Sequence, residues 1–79
     1  MKILVTGAAG FIGFNFCELL MQSTKYKIVG IDNLNDYYDV NLKKKRLHIL
    51  KKYKNFFFSK IDINDNSSLE RIFKKNKFD

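Results

Sequence analysis

The stretch from Ile3 to Gly13, ILVTGAAGFIG, constrains this chain more than any other. Three aliphatic residues, Ile3, Leu4 and Val5, run into a turn with glycine at positions 7, 10 and 13. Apolar residues at helical spacing follow. A buried strand, a tight turn and a helix start satisfy that order. Gly7 permits the turn, Gly10 lets the backbone approach an anion with no side chain in the way, and Gly13 lets helix and strand pack closely. Unpaired N–H groups at such a helix start, with the helix dipole behind them, suit a pyrophosphate.

The remaining pattern alternates short apolar runs with amphipathic ones. Lys2–Thr6 reads as the first strand, apolar on both faces as a central parallel strand requires. A helix follows from Phe11 to about Gln22, with a core stripe of Ile12, Phe16, Leu19 and Leu20 widened by Phe14, Cys17 and Met21. Tyr26–Asp32 is the second strand. Asp39 caps a helix running to about Tyr53, with Leu42, Ile49, Leu50 and Tyr53 inward and Lys43 to Arg46 on a solvated face. Asn55–Ile61 is the third strand. Ser67 and Glu70 match a capping box for a last helix that buries Leu69, Ile72 and Phe73. Helix residues end among Lys74, Lys75 and Lys77, favourable for the dipole.

This βαβαβα order implies an α/β fold with a parallel sheet and right-handed crossovers. Three strands ordered 3-2-1 make a partial Rossmann unit, the N-terminal half of a doubly wound nucleotide-binding domain, over residues 1–79. Lys77, Phe78 and Asp79 read as the lead into a fourth strand. Without that strand the dinucleotide crevice lacks a wall and the first strand has a free edge.

Asp32 ends the second strand, 19 positions beyond Gly13. A carboxylate there accepts both hydroxyls of an adenosine ribose and repels a 2′-phosphate, which favours NAD over NADP. The alternative role for Asp32 is a turn or helix cap. Formal charge is +7, from 15 Lys+Arg against 8 Asp+Glu. Lysine dominates that excess, it is spread over helix ends and exposed faces, and arginine occurs only at 46 and 71, so nucleic acid is not the expected partner. No apolar run approaches the roughly 18 residues of a membrane span, and the interrupted N-terminal run is not a secretory signal. A lone cysteine, Cys17, forms no internal disulfide and suits a cytoplasmic location. It reads as a small buried hydrophobe, and His48 as an exposed helix residue with no metal-ligating neighbours. Phe56, Phe57 and Phe58 read as strand residues facing alternate ways, and not as a stacking platform.

Thr6-Gly7-Ala8-Ala9-Gly10-Phe11-Ile12-Gly13 resembles the TGxxGxxG fingerprint of the extended short-chain dehydrogenase/reductase superfamily, which contains NAD-dependent nucleotide-sugar epimerases and dehydratases. Gly10–Phe14 and Gly30–Leu47 resemble most closely the UDP-glucuronate 4-epimerases. The resemblance implies that Gly7, Gly10, Phe11, Ile12 and Gly13 line the cofactor pyrophosphate and that Asp32 and Asn33 hold the adenosine ribose. It implies that Asp62 and Ile63 flank the adenine, Asp62 accepting from the exocyclic amine; on the residues alone, Asp62 equally fits a turn-forming role. Tyr37 and Tyr38 fit either closure of the ribose pocket or packing at the helix entry.

The same resemblance implies conversion of UDP-glucuronate to UDP-galacturonate through transient C4 oxidation, with a Tyr-x-x-x-Lys pair as acid–base machinery. Tyr26, Tyr37, Tyr38 and Tyr53 are followed four residues on by Gly30, Asn41, Leu42 and Phe57. No Tyr-x-x-x-Lys pair therefore occurs in residues 1–79, and the expected role of this chain is binding of NAD and not catalysis, with the UDP-sugar site and any homodimer contact belonging to the complete protein. A stand-alone nucleotide-binding module or a nonfunctional gene remnant is the competing expectation.

Overall fold

The computed structural model describes residues 1–35 and 39–79, so the expectations for Tyr37 and Tyr38 lie outside the described residues. Strands β1 (Lys2–Thr6), β2 (Lys27–Asp32) and β3 (Phe56–Lys60) alternate with helices α1 (Phe11–Ser23), α2 (Val40–Leu50) and α3 (Asn66–Lys75). The strands form one parallel sheet in the order β1-β2-β3, the expected 3-2-1 arrangement. Val5 pairs with Gly30, and Gly30 with Phe58, so β2 is central.

Period-two alternation along β2 divides the core between the sheet's two faces. Ile28 belongs to a cluster with Val5, Ala8, Ala9, Cys17, Leu47, Leu50 and Phe56, the face covered by α1 and α2. Val29 and Ile31 point the other way and pack with Ile72 of α3, bordered by Leu4, Ile61 and Leu69. Phe56 and Phe58 face the first cluster, while Phe57 is left half exposed on the second face.

The inward faces of the helices depart from the sequence expectation. On α1, Cys17 is buried and Phe14, Leu20 and Met21 pack beside it. Ile12 is 81% exposed, and Phe16 and Leu19 also face outward. This helix is apolar almost all round, so periodicity alone selects no face; contact with β1, β2 and α2 selects it. On α2 the buried residues are Lys43, Leu47 and Leu50, at i, i+4 and i+7, whereas Leu42 and Ile49 are exposed. The helix ends at Leu50, before Tyr53, which packs against the first cluster from the following turn. On α3, Ile72 is buried and Leu69 half-buried, but Phe73 is exposed and meets Phe78 edge-on.

Capping differs in one place as well. Asp39 caps α2 as expected, accepting from the Asn41 N–H at 2.9 Å. The cap of α3 is Asp65, not Ser67: its carboxylate accepts from the Ser68 hydroxyl at 2.8 Å and the Ser68 N–H at 3.2 Å. Those two hydrogen bonds, hydroxyl first, hold the Asp65 carboxyl below its ordinary range. An aspartate reaches the third amide of the helix as readily as a serine and adds charge against the dipole, so the earlier residue wins.

At the edge of β1 away from β2, Lys2 donates its N–H to the Asp79 carboxylate at 2.7 Å and accepts the Asp79 N–H at 2.8 Å. Asp79 therefore lies where a strand beside β1 would begin.

Candidate nucleotide site

The turn after β1 is built from its own amides. The Ala8 N–H extends the β1–β2 ladder by donating to Ile31 O at 3.1 Å, and the Gly10 N–H folds back onto Gly7 O at 2.9 Å. Gly7 sits at φ +65°, a conformation that side-chain-bearing residues rarely adopt. Gly13 packs against the same peptide: a Cβ there would overlap the Gly7 carbonyl and stand 3.2 Å from Ala8 Cα. Gly30 of β2 has a comparable constraint unforeseen from sequence, since a Cβ would lie 2.7 Å from Ala8 Cβ and 3.0 Å from the Phe56 ring. Four glycines thus let the turn, α1 and β2 approach one another.

What remains unpaired is as informative. Gly10 is the N-cap of α1 and offers no side chain, and the first i→i−4 bond is from the Phe14 N–H to Gly10 O at 2.9 Å. The N–H groups of Phe11, Ile12 and Gly13 have no backbone partner among the described residues. They open onto a cleft of about 890 Å³ at the C-terminal ends of β1 and β2, lined by Gly7, Gly10, Phe11, Ile12, Gly13, Asp32 and Asn33 among others. Seven of the nine candidate residues share this one cleft.

Asp32 is buried at the floor. Its Oδ2 accepts from the Ala9 N–H at 3.1 Å and its Oδ1 from the Leu34 N–H at 2.8 Å. A carboxylate has about four lone-pair positions, so further hydroxyl donors can still be accepted. Leu34 adopts φ 53°, a strained position for a branched residue, in the bend that carries Asn33 and Asn35 past Asp32. Asn33 accepts the Asn35 N–H at 3.1 Å, which closes the bend.

Ile63 lines a smaller adjoining hollow of about 250 Å³ that also touches Gly7, Asp32 and Asn33. Asp62 is exposed, lines neither space, and accepts the Asn64 N–H at 2.8 Å in an Asx turn, the turn-forming alternative allowed by the sequence.

The structure also brings in two residues expected on a solvated face. Lys43 is buried, its Nζ 3.8 Å from Asp32 Oδ1 and 3.2 Å from Asn35 Oδ1. Arg46 donates from Nη1 to Ala9 O at 3.0 Å, and its guanidinium lies 5.9 Å from the centroid of the Phe11 ring. Both border the cleft. Their spacing to Leu47 and Leu50 was the available sequence signal, masked by the apparent charge run from 43 to 46.

A glycine turn, partnerless amides at a helix start and a carboxylate ending the next strand define a Rossmann-type mononucleotide-binding unit. The chain belongs to the GDP-mannose 4,6 dehydratase family, which matches residues 4–79. It is 53% identical over 70 residues to UDP-glucuronate 4-epimerase of Thermodesulfobacterium geofontis, covering 89% of this chain and 21% of that protein. UDP-glucuronate 4-epimerase 6 of Arabidopsis thaliana is 41% identical over 73 residues, covering 92% and 15%. The crystal structure of UDP-glucuronic acid 4-epimerase from Bacillus cereus, in complex with UDP-glucuronic acid and NAD, superposes with a TM-score of 0.82 at 39% identity, over 95% of this chain and 24% of that one. A dTDP-glucose 4,6-dehydratase from Bacillus anthracis in complex with NAD gives 0.83 at 35% identity, over 99% and 24%. The chain thus spans about a quarter of the length of these solved structures. No helix among the described residues is long and apolar enough to cross a membrane.

Proposed function

We propose that residues 1–79 form the ADP-binding half of an NAD site in a nucleotide-sugar epimerase, with UDP-glucuronate as the sugar nucleotide of the whole protein. The observation that carries this reading is the shared cleft: three partnerless helix-start amides stand beside a buried carboxylate. Phe11, Ile12 and Gly13 donate N–H groups to the diphosphate, and the bare Gly10 lets it approach the turn that Gly7 and Gly13 shape. Asp32 accepts the ribose hydroxyls, with Asn33 beside it. Ile63 packs on one side of the adenine. Asp62 accepts the exocyclic amine through the oxygen that its Asx turn leaves over.

NAD, when bound, takes up and returns a hydride. This chain's residues hold its adenosine end and exclude water beneath the diphosphate. The sugar-nucleotide site, acid–base residues and any homodimer contact are properties of the whole protein in this reading, for which a cytoplasmic setting is proposed, in keeping with a single buried cysteine at position 17.

Thermal unfolding of the purified protein with and without NAD tests the binding reading. Saturation at a hundred times Kd adds about 2.7 kcal/mol. Asp32→Ala should abolish most of that NAD-dependent gain. An unchanged shift in the variant would remove Asp32 from the site, and no shift in the wild-type protein would leave only the remnant reading.

A further inference from the structure

Arg46 has far more hydrogen-bonding capacity than its internal contact uses. Its Nη1 donates to Ala9 O, and this is the guanidinium's only hydrogen bond among the described residues. A guanidinium offers five N–H donors in a planar fork that matches phosphate oxygens. The Ala9 contact and the cation–π contact with Phe11 hold this fork at the cleft that Phe11, Ile12 and Gly13 also line.

Charge makes the placement significant. A diphosphate bridging two ribosyl groups carries two negative charges, whereas the start of α1 supplies only about half a positive charge. Lys43 does not meet the deficit, because it is committed to Asp32 and Asn35. Arg46 is the remaining cation lining the cleft among the described residues.

We propose that Arg46 is a ligand of the diphosphate, clamping it from α2 while the α1 amides hold it from the opposite side. This rests on the dinucleotide reading above. Nη1 keeps its bond to Ala9 O, and the outer N–H groups reach the phosphate oxygens.

The test compares ligands that differ in the diphosphate. Dissociation constants for ADP, NAD and NADP are measured by calorimetry, and that for adenosine by ligand-observed NMR, with wild-type protein, Arg46→Gln and Arg46→Lys. Arg46→Gln should weaken ADP and NAD roughly ten- to hundred-fold, the range for a charged hydrogen bond, while adenosine changes less than about two-fold. The salt dependence of ADP binding should flatten, and Arg46→Lys should recover part of the affinity without the bidentate geometry. Equal weakening of ADP and adenosine would reduce Arg46 to a shaper of the turn and overturn the proposal. Weakening confined to NADP would overturn it in favour of a 2′-phosphate contact. Wild-type protein that binds none of these ligands would instead overturn the dinucleotide reading itself.

Discussion

Gly13→Ala perturbs the turn at the point where the backbone approach is closest. The added Cβ would overlap the Gly7 carbonyl oxygen and lie 2.9 Å from its carbon, against the 3.4–4 Å of ordinary contact. The three nearest atoms are all backbone, so rotating a side chain away does not relieve the overlap. Relief of the oxygen overlap requires α1 and the turn to separate by about an ångström, an overpacking cost of about 3 kcal/mol. Alanine returns about 1 kcal/mol through helix propensity, leaving a net loss of about 2 kcal/mol. For a domain of this size that lowers the thermal midpoint by roughly 8–16 °C, read by far-UV circular dichroism. The same displacement moves the amides of Phe11, Ile12 and Gly13, so the NAD-dependent stabilisation should shrink as well. Gly10→Ala is the control: its Cβ meets only Gly7 O, at 3.2 Å, and the midpoint should fall by far less. A Gly13→Ala protein that melts with the wild type and keeps its full NAD response would refute the close approach on which the site depends.

Two further perturbations probe the floor of the cleft and the core. Lys43→Met keeps the buried stem but strips Asp32 of its cation, and should cost roughly 1–3 kcal/mol in urea unfolding. Combining it with Asp32→Asn should recover part of that loss, whereas strict additivity would show that the 3.8 Å pair is energetically idle. Burial pushes the Cys17 thiol up to about 11 from an ordinary 9.0. The folded chain therefore keeps its proton after the unfolded chain has lost it. This contribution is fully present below pH 9 and falls away by about 2–3 kcal/mol as pH rises from 9 to 11. Cys17→Ala should flatten the stability profile in that interval alone; an identical slope in both proteins would show that the thiol is not desolvated.

The elements and their order were legible because each rests on local chemistry. Aliphatic runs make β1 and β2, the glycine turn makes the corner between β1 and α1, and Asp39 caps α2, all within a few residues of sequence. That Gly7, Gly10, Gly13 and Asp32 come together was legible for the same reason: turn geometry and a strand-ending carboxylate are short-range signatures, whereas Phe11, Ile12 and Asn33 were expected from the family resemblance alone. Helix facing was not legible. Because α1 is apolar on nearly every side, it presents no contrast for periodicity to read. For α2 the run of four basic residues from 43 to 46 concealed a buried member.

Sequence alone thus determined a parallel βαβαβα unit with an amide-rich turn, since backbone propensity and spacing are properties of adjacent residues. Tertiary structure alone decided that Lys43 goes under the cleft, that Arg46 reaches back to Ala9, and that Gly30 must be bare against Ala8 and Phe56. Those outcomes join residues up to 37 positions apart, and whether a cation is buried or solvated depends on a counter-charge that only folding brings to it.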